Sequence, residues 1–125
     1  MKLFSIEEAN ALLPFLRVSL QKAQAERNAI RQLAPKIRRA QEKALLGGGA
    51  PYGPAFVRHV IRYQEVAHAI HSTGVIVKDF DIGLCDFPFY LDDHVVYLCW
   101  KPDEERIEWW HELDAGFAGR QALYK

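Results

Sequence analysis

The residues able to do chemistry gather in the last third of the chain. Asp86, Cys99, Glu108, His111, Glu112, Asp114 and Arg120 offer carboxylates, a thiol, an imidazole and a guanidinium within 35 positions. Histidine, cysteine and carboxylate together can hold zinc. A thiol beside an imidazole can act as a nucleophile if its pKa is lowered by positive surroundings. A second set, Glu65, His68 and His71, has the Glu-x-x-His spacing of carboxylate-bridged metal bundles. Such a site also needs carboxylates from a facing helix, and the first helical segment offers only Glu26 and Glu42 in its long part. Surface histidines are the simpler reading of that set, so no metal site is favoured and no cofactor is expected.

Whether the first cluster assembles depends on strand register. From residue 75 onward the apolar pattern has a period of two, so strands are expected at 75–77, 84–91, 95–100 and 107–111. Turns fall at Asp92-Asp93 and at 102–105. If Leu91 pairs with His94 and Lys101 with Arg106, Asp86, Cys99 and Glu108 form one row across the sheet. That register puts Trp100, Trp109 and His111 on the opposite, core-facing side, turned away from Cys99. Asp86 and Glu108 would then raise the Cys99 pKa, which argues against a nucleophile. Cys85 and Cys99 fall on opposite faces, so both thiols are expected to stay reduced and unpaired. The face bearing the row is too apolar for bare water, and reads as a partner interface or a pocket wall.

The elements ahead of the sheet read as a helical hairpin. Ser5 and Glu8 form a capping box, starting a helix at Ile6. Leu13, Leu16, Leu20, Ala23, Ile30, Ala34, Ile37 and Ala44 recur at spacings of three and four, with Arg27 and Gln41 as polar flaws. Pro14 and Pro35 predict kinks or a break. Residues 47–54, GGGAPYGP, read as a loop. A second helix is expected over 55–74, stopped by Gly74, with a second apolar stripe through Val57 and Ile61 that calls for another neighbour.

The chain of 125 residues is therefore expected to be a single α+β domain. Its parts are a kinked helix at 1–46, a Gly/Pro loop at 47–54 and a second helix at 55–74. An antiparallel meander over 75–112 and an irregular tail at 113–125 complete it. The hairpin is long, antiparallel and partly coiled-coil-like, packed on a sheet of three to four strands. No apolar run is long enough to span a membrane, and the N-terminus lacks a signal-peptide pattern. Two cysteines without a secretory signal point to a reducing compartment, and a cytoplasmic location is expected.

Net charge is zero but uneven: residues 1–64 carry eleven Lys/Arg against four Asp/Glu, and residues 65–125 five against twelve. The halves should pack on each other or on a second copy. Nucleic acid is disfavoured, because the basic residues of the first helix are interspersed with Gln and Ala and no aromatic is interleaved to stack a base.

Several segments together carry a resemblance. FSIEEANALLP near the start, GLCDFPF, LCW and WHELDAGFAGR resemble the family catalogued as domain of unknown function 2203. The anchors are Glu8-Ala9-Asn10, Asp86-Phe87-Pro88, Leu98-Cys99-Trp100, Trp110-His111-Glu112 and Gly116-Phe117 with Gly119-Arg120. The resemblance implies a small prokaryotic-type soluble protein with no assigned activity and brings no catalytic residues. The first expectation is a non-enzymatic interaction or assembly protein acting as a homodimer. A small-molecule or metal-binding enzyme, with a site on the Asp86/Glu108/Glu112 face near Arg120, is the alternative. Nucleic-acid binding by the first helix comes last. In the tail, Arg120 is expected to pair with Asp86, Glu112 or Asp114, or else to receive an anionic ligand.

Overall fold

The computed structural model describes residues 1–44, 47 and 52–124. Helix α1 runs over Ile6–Ala44 and α2 over Gly53–His71. The sheet holds β1 (Ile76–Asp79), β2 (Leu84–Leu91), β3 (His94–Trp100), β4 (Trp109–His111) and β5 (Gln121–Ala122). The five strands lie in chain order, each antiparallel to the next. The architecture is α+β as expected, with five strands rather than three or four. The fifth comes from the tail, which reads as irregular in the sequence but pairs Ala122 with Trp109 and Gln121 with Trp110.

The capping box closes as the sequence requires. Ser5 Oγ accepts from the Glu8 amide and Glu8 Oε1 from the Ser5 amide, both at 3.0 Å. Hydrogen bonds from the Ser5 amide, and then from its hydroxyl, to the charged form hold the Glu8 carboxyl below its ordinary value. α1 then continues as one helix through both Pro14 and Pro35, so of the expected kinks or break, the break does not occur. Each proline costs one backbone hydrogen bond, which long packing against α2 outweighs.

Gly53 and Pro54, read as loop, instead open α2, because proline suits a first helical turn where no N–H is needed. The expected loop residues 48–51 lie outside the described residues. α2 ends at His71 with Ser72 as its C-cap, short of the end expected at Gly74, which follows in the turn with φ +93°.

The core lies between the first half of α1, the end of α2 and one sheet face. Leu13, Leu16 and Leu20 of α1 meet Ile70, Cys85, Phe87, Leu98, Trp100 and Ile107 there. Beyond Arg27, α1 packs on α2 as a two-helix arm, and none of the described residues between 27 and 62 belongs to that core cluster. The second stripe of α2 finds no neighbour among the described residues at Val57 and Ile61, which are 53% and 47% exposed. No described helix is long and apolar enough to cross a membrane.

Register decides the site. The β2–β3 hairpin pairs Leu91 with His94 across Asp92 and Asp93, both at positive φ, as two-residue turns of this type need. The expected β3–β4 register is off by one. Cys99 pairs with Trp109 and Tyr97 with His111, where Lys101 opposite Arg106 would have set Cys99 against Glu108.

The cause is a contact from far away in sequence. Asn10 Oδ1 on α1 accepts the Ile107 amide at 2.8 Å. Ile107 is fully buried in the core, outside the ladder. The Glu104 and Glu105 carbonyls are tied to Arg17, and the Glu104 carbonyl also accepts the Trp100 indole N–H at 2.8 Å. Residues 101–108 therefore form a long, pinned turn, and β4 starts at Trp109. A one-residue slip turns every side chain of that strand over. Trp109 leaves the core for the other face, Trp110 packs on the core margin, and His111 joins Asp86 and Cys99.

Candidate functional site

Asp86 on β2, Cys99 on β3 and His111 on β4 share the sheet face turned away from the helices. All three are buried, at 1%, 0% and 2% exposure. Their ligating atoms lie within 4.8 Å of one another. His111 Nδ1 is 2.7 Å from the Glu112 carbonyl oxygen. A carbonyl only accepts, so Nδ1 carries the hydrogen. His111 Nε2 stands 3.1 Å from Asp86 Oδ1, and one proton must lie between them.

Burial raises the Asp86 carboxyl above its ordinary value. The His111 hydrogen bond and charge, then Lys78, then the Cys99 thiol oppose the rise. Lys78 sits with Nζ 4.9 Å from the Tyr97 ring centroid, and the Tyr97 ring packs edge-on against His111.

The order of contacts excludes a thiol–imidazole relay. His111 spends Nε2 on Asp86 and Nδ1 on the Glu112 carbonyl, so neither ring nitrogen serves the Cys99 thiol, whereas a nucleophilic triad needs the imidazole between thiol and carboxylate. The Cys99 thiol is pushed up to about 12, first by burial and then by the Asp86 charge, with Arg120 pulling the other way. A buried thiol of that kind is no nucleophile near neutral pH.

Glu108, Glu112 and Asp114 do not join the cluster. Glu108 is exposed and pairs with Arg106 at 2.9 Å. The Glu112 carboxylate accepts from His94 Nε2 at 2.9 Å, and only its backbone reaches His111. Asp114 is exposed.

Arg120 does pair with a carboxylate of its own chain, but with Glu104 at 2.7 Å rather than Asp86, Glu112 or Asp114. The turn through Gly116 (φ +66°) and the short 3-10 helix Phe117–Gly119 carries Arg120 to the pinned 101–108 turn. Its Nη2 also donates to the Cys99 carbonyl at 3.2 Å. Its guanidinium lies 5.0 Å from the Trp109 ring centroid and 4.8 Å from that of Phe117. Arg120 Nε is buried without a hydrogen-bond partner among the described residues; the two rings offset that loss.

Glu65, His68 and His71 are all exposed along α2, and Glu26 is engaged by His59 instead. Among the described residues, the group of three or more ligand-bearing side chains able to hold an ion is Asp86, Cys99 and His111. Sequence reasoning missed Glu104 and Lys78. Glu104 was legible only as a turn residue, and Lys78 needed the pairing of β1 with β2.

Cys85 faces the helices, so the two thiols lie on opposite sides of the sheet and are free. Burial, then the Asp86 and Cys99 charges, push the Cys85 thiol from 9.0 to about 12. The neutral thiol is the folded form, while the unfolded chain ionises first as pH rises. Its stabilisation is complete below pH 9 and fades toward pH 12. Wild type should therefore lose on the order of 3 kcal/mol more than Cys85→Ala over that window, measured as urea midpoints. Parallel pH curves would contradict this.

No curated protein and no solved structure is significantly similar to the chain. The family model described as Uncharacterized conserved protein (DUF2203) matches residues 2–123, nearly the whole length, and the chain belongs to that family.

Proposed function

We propose that this is a non-enzymatic interaction protein that acts as a homodimer, with the basic arm of one copy against the acidic sheet end of the other. The carrying observation is the charge of the arm. Residues 27–62 hold eight Lys/Arg and one acidic residue, Glu42. Of these cations only Arg27 and Arg31 make ion pairs among the described residues, both with Asp81. Lys36, Arg38, Arg39, Lys43, Arg58 and Arg62 are exposed. At the sheet end that carries the β2–β3 turn, Asp92, Asp93 and Asp114 are exposed too. Among the described residues these exposed groups make no ion pairs within one copy, which supports pairing of the two fields between copies. Exposed Val57 and Ile61 supply apolar area on the same arm. The high Cys99 pKa and the burial of the thiol support binding over catalysis.

Light scattering at micromolar concentration and low salt should give about twice 14.4 kDa. High salt should shift the mass toward the monomer, because exposed charges are screened, and so should Ile61→Asp. A monomer at low salt refutes the reading. The same cations, with Tyr52 beneath Lys36 at 5.1 Å, suit a polyanion as the second choice. A monomer that retards DNA in a salt-dependent gel shift would move the assignment there.

A further inference from the structure

We propose that Asp86, Cys99 and His111 bind one divalent transition ion of the zinc class. Three observations meet at this point, apart from the arm and its partner. The first is convergence: one oxygen, one sulfur and one nitrogen donor lie within 4.8 Å of one another. They come from three adjacent strands whose ladder fixes them. An O/S/N donor set suits zinc and cobalt and is poor for magnesium or calcium.

The second is orientation. His111 presents Nε2 to the cluster because Nδ1–H is held by the Glu112 carbonyl at 2.7 Å. Metal-binding histidines characteristically have this outer bond, which fixes tautomer and ring angle. The third is charge. A buried site must end near neutrality. A dication with one carboxylate, one thiolate and a neutral imidazole is neutral. On binding, the thiol proton and the proton shared by Asp86 and His111 leave to solvent, so the neutral cluster stays neutral. Three protein donors leave one position of a tetrahedral ion for water or another small ligand.

The rival reading is a hydrogen-bonded core network that never takes an ion. The two are separated by titrating cobalt(II) into full-length, reduced, chelator-treated protein. The site predicts a thiolate-to-cobalt charge-transfer band that saturates at one ion per chain and is abolished by zinc. The melting temperature should rise with the ion. Cys85→Ser should keep the band, and Cys99→Ser and His111→Gln should lose it. Asp86→Asn, which preserves the shape of the cluster, serves if either of those fails to fold. No saturating band in the wild type overturns the proposal, whatever the variants do. A band that survives Cys99→Ser but not Cys85→Ser overturns it equally. The mass of the assembly enters none of these readouts.

Discussion

Trp100→Ala is expected to lower the stability of the fold by about 3–5 kcal/mol. Trp100 is fully buried at the centre of the core cluster. Its indole N–H donates to the Glu104 carbonyl, and the Arg17 guanidinium lies 5.4 Å from its ring centroid. Truncation removes core volume and also loosens the pinned turn that sets the β4 register. A domain of this size has roughly 5–15 kcal/mol in all, so the variant should unfold at far lower urea. Trp109→Ala provides the contrast. Trp109 is only partly buried, outside the core, beneath Arg120, and its loss should cost markedly less. Equal costs would mean that both indoles share the core, as the simple turn register implies.

Asp86→Ala is expected to destabilise the metal-free protein by about 3–5 kcal/mol, the usual cost of stripping one member from a buried pair. It leaves His111 Nε2 without its partner in buried surroundings beside the Cys99 thiol. Asp86→Asn should be far milder. With Nδ1–H committed to the Glu112 carbonyl, neutral His111 has a free Nε2 acceptor, and an asparagine amide can donate to it. Urea denaturation of the two variants tests this order. An asparagine variant as unstable as the alanine one would show that the charge, not the hydrogen bond, holds the cluster.

The helical hairpin was legible because its signals are local. Ser5 and Glu8 cap each other, Leu13, Leu16 and Leu20 repeat on one face, and Gly74 lies in the turn just after the second helix. The β2–β3 hairpin was legible for the same reason: two aspartates that tolerate positive φ separate two alternating runs.

The third hairpin was not, because its register is set by Asn10, 97 positions away from Ile107. No local pattern in KPDEERIE reveals that Ile107 belongs to the core instead of the ladder. That single contact moved His111 from the core side, where the sequence suggested it, to the side of Asp86 and Cys99. The charge asymmetry was legible as well. That the basic arm carries its cations into solvent, with Asp81 alone among the described residues answering two of them, depends on where α1 leaves the core.

The claim on which the rest depends is that Asp86 and His111 touch. A double-mutant cycle with Asp86→Ala and His111→Ala in urea measures that contact directly. The structure predicts a coupling of about 1.5–3 kcal/mol, as for a buried charge-assisted hydrogen bond. Additive losses, with coupling near zero, would put the two residues on opposite faces and contradict the register.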